Sequence, residues 1–116
     1  MLHHVSIEVP PSDVERTIEL WRLLGFERVE APESLRPCVT WLEREETQIH
    51  LIHSEQATAP PLGHAAVVTP DFDATVARVR DAGFEVEDHE PLWGEPRAFA
   101  LAPGGHRVEL MAAPPG

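Results

Sequence analysis

The 116-residue chain carries 20 acidic residues against nine arginines, has no lysine, and bears a formal net charge of -11. Phosphate-rich partners need a basic surface, so this balance argues against nucleic acid and anionic membrane as partners. The length bounds one compact domain with a real core, and no apolar run approaches the roughly 20 residues of a membrane span. With no basic segment leading into an apolar one at the start, the expected compartment is the cytoplasm.

Residues 2 to 9 alternate. Val5, Ile7 and Val9 lie on one face and His4, Ser6 and Glu8 on the other, the pattern of a strand with one greasy and one polar side. Pro10-Pro11 stops it, and Ser12 followed by Glu15 has the spacing of a capping box opening a helix. Val14, Ile18 and Trp21, with Leu20 and Leu24, predict the buried stripe of that helix, and Glu15, Arg16 and Glu19 its outer side. Gly25 is placed to end it. Strands are predicted over 26–30, 38–43 and 47–53, separated by the Pro32 to Pro37 loop and the turn at Arg44-Glu45-Glu46. Cys38, the lone cysteine, has no disulfide partner and reads as a small buried hydrophobe.

Residues 54 to 62 lack periodicity, contain Pro60-Pro61, and read as a linker. The pattern then begins again. Asp13, Thr17 and Ile18 are matched by Asp71, Thr75 and Val76, and Gly25-Phe26-Glu27 by Gly83-Phe84-Glu85, both 58 residues later. Ile49-His50-Leu51 is matched by Val108-Glu109-Leu110 at an offset of 59. The second copy places Phe72, Val76 and Val79 on its helix stripe, strands over 84–88 and 97–101, and Trp93 in the loop between them. Gly104-Gly105 turns into the last strand, where Arg107, Glu109 and Met111 face one way and Val108 and Leu110 the other.

The expected architecture is therefore α+β: two tandem βαβββ modules, 1–53 and 63–116, joined by the linker and folded as one cup-shaped domain. One helix covers one face of each sheet and leaves the other bare. His4, His50, His64 and Glu109 all fall on the row opposite the apolar one. Ser6, Gln48, Arg107 and Met111 share that row. His3 and His53 share the helix-packing row near strand ends, and His89 and His106 fall in loops or turns.

In the motifs HHVSIEV, TQIHLI, GHAAVV and PGGHRVELM, spread over nearly the whole chain, the sequence resembles the vicinal oxygen chelate superfamily. That superfamily includes glyoxalase I, extradiol dioxygenases, methylmalonyl-CoA epimerase, fosfomycin resistance enzymes and bleomycin resistance proteins. The resemblance implies the βαβββ fold, a homodimer with sites formed within or between chains, and a small-molecule substrate chelated through adjacent oxygens. It also implies one divalent metal ion per site (Zn, Ni, Co, Mn or Fe), held by His4, His50, His64 and Glu109, which come from the first and last strands of the modules. Three imidazoles and a carboxylate gathered in an apolar-walled cup would be costly without a cation.

The pattern departs from each relative. Bacterial glyoxalase I carries glutamate where His50 stands, so His50 is either a fourth ligand or a base beside the metal. His4, His64 and Glu109 match the two-histidine, one-carboxylate set of extradiol dioxygenases, which are usually longer, and of fosfomycin enzymes, whose phosphonate pocket is cationic. The expected reaction is glyoxalase-type proton abstraction beside a carbonyl, with Glu109 and then His50 as candidate bases and the metal as Lewis acid. Oxygen-dependent cleavage by Fe(II) and metal-free drug binding are the alternatives. Candidate pocket residues are Ser6, Gln48, Trp93, Arg97, Arg107 and Met111, with Trp41 as a further candidate wall.

Overall fold

The computed structural model describes residues 1–115, and the chain divides into two units with the boundary between Ala59 and Pro60. The first contains β1 (His4–Val9), α1 (Val14–Leu23), β2 (Glu27–Val29), β3 (Val39–Arg44) and β4 (Thr47–His53). The second repeats the order with β5 (Ala65–Val68), α2 (Phe72–Asp81), β6 (Val86–His89), β7 (Arg97–Leu101) and β8 (Arg107–Met111). The fold is α+β, built of two βαβββ modules, and the boundary between the units lies in the Pro-rich segment.

Each unit holds one four-stranded mixed sheet, in the order β1-β4-β3-β2 and β5-β8-β7-β6. The first and last strands of each module are parallel neighbours, and the remaining pairs are antiparallel. A parallel neighbour requires a crossover, and the helix provides it. The sequence repeat is thus a repeat of register: Ser6 lies opposite His50 in the first unit, and Ala66 opposite Glu109 in the second.

Alternation fixes the core. Val9, Leu42, Ile49 and Leu51 from one sheet are buried together with Val14, Ile18, Leu20, Trp21 and Leu24 from the α1 region. Trp21 meets Phe26 edge-on with ring centroids 5.0 Å apart. In the second unit Val67, Ala98, Ala100, Val108 and Leu110 are buried with Val76, Val79 and Phe84. The opposite row of β1, namely His4, Ser6 and Glu8, is exposed.

Several local expectations are corrected. Ser12 does not cap α1: it lies in a 3-10 turn over Pro11–Asp13, because the proline ring already sets the helical φ there. α1 starts one residue after that turn, and Asp13 offers its carbonyl to the Thr17 hydroxyl at 2.8 Å. Cys38 is exposed, since the chain is still in the loop there, with its N–H donating to the Leu35 carbonyl at 2.9 Å. His89 is the last residue of β6 and not a loop residue.

Gly25 (φ +93°) and Gly83 (φ +92°) close the two helices in the left-handed region, where a Cβ is strained. Among the described residues no helix is long and apolar enough to cross a membrane.

Trp21 is 1% exposed, so Trp21→Ala is expected to cost about 3–5 kcal/mol of stability. Urea unfolding of the variant should show a lower midpoint with an unchanged slope.

Candidate functional site

The polar rows of the two parallel strand pairs carry most of the candidate residues, and each unit assembles its own group. In the first unit His50 is 7% exposed and lies between two rings. Trp41, its cross-strand partner, stacks on one face at 4.2 Å and 4°. His4 stacks at 4.0 Å and 15°. His3 joins the cluster, with its Nδ1 2.9 Å from His4 Nδ1.

Hydrogen bonding fixes the state of His50. Gln48 donates its amide Nε2 to Glu43 Oε1 at 2.9 Å, so its Oε1 is left as an acceptor for His50 Nε2 at 2.7 Å. His50 Nε2 is therefore a donor, and in the neutral ring Nδ1 keeps its lone pair. Burial pushes the His50 pKa below its ordinary 6.5, and the neighbouring His4 and His3 push it the same way. A neutral imidazole is the form that binds a metal or accepts a proton.

In the second unit Glu109 is 8% exposed. Its two oxygens have separate partners: Oε1 lies 3.0 Å from His64 Nε2, and Oε2 accepts from Arg97 Nη1 at 3.1 Å. Arg97 also donates through Nε to the Glu90 carbonyl at 3.0 Å. His64 Nδ1 is 2.8 Å from the Leu62 carbonyl, which only accepts, so Nδ1 carries a hydrogen. One neutral imidazole cannot then serve both Leu62 and an ionised Glu109. The gap between Nε2 and Oε1 calls for one more proton or for a cation, and a histidine oriented through Nδ1–H to a carbonyl presents Nε2 as a ligand.

The donors thus come as His4 with His50 and as His64 with Glu109, at equivalent positions of the duplicated units. Among the described residues no three His, Cys, Asp or Glu side chains are grouped closely enough to hold one ion. The chemistry of the donors fits a divalent transition metal, with neutral imidazoles of borderline softness and a hard carboxylate.

The other candidates divide. Gln48 orients His50. Ser6 lies opposite His50 in the register, and Met111 opposite Arg97. Trp93 donates its indole N–H to the Ala113 carbonyl at 3.1 Å and lies 5.9 Å from the Arg97 guanidinium. Arg107 sits 4.4 Å over the Phe99 ring.

Sequence reading missed Phe99, which meets His64 at 4.8 Å and His89 at 4.6 Å. The repeat held the signal, since Phe99 stands 58 residues after Trp41 and opposite Glu109 as Trp41 is opposite His50. It also missed a cleft of about 490 Å³ in the first unit, lined in part by Arg28, Arg36, Thr40, Trp41 and His53. Those residues are scattered over three strands and a loop, with no shared period to reveal them.

The fold defines a class, the duplicated βαβββ proteins. The sequence profile of the Glyoxalase/Bleomycin resistance protein/Dioxygenase superfamily matches residues 1–112, and the chain belongs to that superfamily. Among solved structures it is similar to a glyoxalase family protein from Bacillus anthracis, at 22% identity and TM-score 0.83, covering 96% of this chain and 93% of that one. It is also similar to the oxidase ChaP-H2, at 21% identity and TM-score 0.77 over 100% and 95% of the two chains. A third is TnmS3, an antibiotic binding protein from Streptomyces sp. CB03234, at 18% identity and TM-score 0.71 over 96% and 93%. Likeness at these identities shows the fold, and the three differ in what they do. No curated protein matches the sequence.

His50 ties the stability of the first unit to pH. Its folded pKa is depressed below 6.5, so the unfolded chain takes the proton first as pH falls, and stability present above 6.5 is lost down through the folded pKa. The urea midpoint of the chelator-treated protein is expected to fall more steeply between pH 7.5 and 5 than that of His50→Leu. Parallel slopes would exclude His50 as the source.

Proposed function

We propose that this protein is a cytoplasmic metal-dependent enzyme of the superfamily, one that abstracts a proton beside a carbonyl in a small substrate chelated through adjacent oxygens, as in glyoxalase-type isomerisation. The observation that carries the reading is the His64–Glu109 pair at 3.0 Å, where two acceptors flank one imidazole and a cation satisfies all three groups. The ligands are His4, His50, His64 and Glu109. They are supplied by the two units of one chain or by units exchanged between the chains of a homodimer.

When bound, the ion supplies Lewis acidity to the substrate's oxygens. The remaining work falls to the chain's own side chains. Arg97 holds Glu109 Oε2 in place, so that Oε1 is the atom that accepts a substrate proton. Where His50 is not itself a ligand, its Nδ1, kept neutral by burial, is the second proton acceptor, and Gln48 fixes its ring. The stacked Trp41 excludes water from one face of His50.

Two alternatives have specific support. His4, His64 and Glu109 make the two-histidine, one-carboxylate set of Fe(II) oxygen chemistry. A metal-free binding module is supported by the ion pair that already engages Glu109 with Arg97.

Elemental analysis of the purified protein separates the classes. One divalent ion per site is expected, with affinity at least about tenfold lower in His4→Ala and Glu109→Ala. Trace metal unchanged by either substitution would leave the binding module. Among metal-loaded forms, turnover that persists without oxygen supports the isomerase, and turnover that requires oxygen supports the dioxygenase. Glu109→Gln is expected to lower turnover about 10²–10⁴-fold. Sedimentation is expected to show a homodimer.

A further inference from the structure

We infer that Arg107 is an anion anchor and that the ligand taken by this face carries a carboxylate. The chain has more than twice as many acids as arginines, and six arginines meet an acidic side chain within 4.0 Å: Arg16, Arg22, Arg28, Arg36, Arg80 and Arg97. Arg107 does not. Its guanidinium lies over Phe99 with Cζ 4.4 Å from the ring centroid, and its Nε is buried without a hydrogen-bond partner. A donor without a partner is costly, and an acceptor brought by a ligand would relieve it.

The duplication sharpens the contrast. Arg107 precedes Glu109 by two residues as Gln48 precedes His50. Gln48 hydrogen-bonds His50, but Glu109 is already held by Arg97 from the neighbouring strand. Two cations therefore share one face with a single buried carboxylate, and one positive charge is left over. Glu87 lies opposite Phe99 on β6 and is exposed, with no ion pair to Arg107. The overall charge of -11 does not oppose a local anion site, because salt screens it beyond about 10 Å.

A guanidinium resting on an aromatic ring offers its planar N–H fork along its edge, a shape that pairs with a carboxylate through two bonds. The ligand class is a small organic carboxylate with a flat or apolar body. If the face also binds metal, the carboxylate is separate from the chelating oxygens. The inference takes from the proposed function only the assignment of this face as the binding surface.

Benzoate, with benzamide as its neutral counterpart, is the probe. In chelator-treated wild-type protein the Arg107 Nε–H resonance, assigned by its loss in Arg107→Lys, is expected to move on adding benzoate and to stay still on adding benzamide. Benzoate binding should weaken at least tenfold in Arg107→Gln and less in Arg107→Lys. An unmoved resonance, equal response to the two probes, or undiminished benzoate binding in Arg107→Gln overturns the proposal. Metal content is measured on the same protein as purified, before the chelator is added. A metal-free protein whose Arg107 responds to benzoate sinks the metal reading alone, and a metal-loaded protein indifferent to benzoate sinks this one alone.

Discussion

A helix can cover only one side of a sheet, and that constraint decides where every polar group of this protein goes. Successive side chains of a strand point to opposite faces, so once α1 and α2 have buried one row, the alternate row has no helix to pack on. It is there that His4, His50 and Glu109 stand. Moving a strand by one residue would exchange the rows. Leu51 and Leu110, both 0% exposed, would then lose their places, so the same burial that stabilises the sheets holds the histidines and the carboxylate on the open face.

The two units use one backbone for different electrostatics. In the first, an imidazole is sandwiched between Trp41 and His4, an apolar setting that disfavours charge. In the second, the equivalent position is a carboxylate, and at this burial a carboxylate needs partners. Arg97 supplies one, from a position where the first unit has Val39, 58 residues earlier. Arg97 and Glu109 thus form a matched pair: the cation makes the buried anion tolerable. Phe99 replaces Trp41, and its ring is free of stacking by imidazole and takes the Arg107 guanidinium instead.

The fold was legible because periodicity and duplication are properties of the chain itself. The alternation in LHHVSIEV and TQIHLI, the helix stripe through Val14, Ile18 and Trp21, and the matched Gly25 and Gly83 all report short-range geometry. Helix starts were less legible, since Pro11 and Ser12 give competing signals and the proline's fixed φ wins as a 3-10 turn. Which residues share a face was readable from parity, but which of them touch was not. The His64–Glu109 bond and the Arg97 clamp join residues 45 and 12 positions apart, and depend on rotamers that no pattern encodes. Cys38 was misread because its burial turns on whether the strand starts at 38 or 39.

The division of labour within Glu109 follows from that clamp. A carboxylate free to rotate would present both oxygens to whatever cation came near. Here Arg97 engages Oε2 and is itself tied to the Glu90 carbonyl, so rotation about the carboxyl bond would break a charge-assisted hydrogen bond to a buried carboxylate. Oε1 is thereby kept toward His64 Nε2, and His64 is kept toward Oε1 by its bond to the Leu62 carbonyl. Two groups anchored from behind, facing each other across 3.0 Å with one hydrogen too few, are arranged around a positive charge. A proton or a metal ion would meet Oε1 there, because the Arg97 anchor keeps Oε2 occupied.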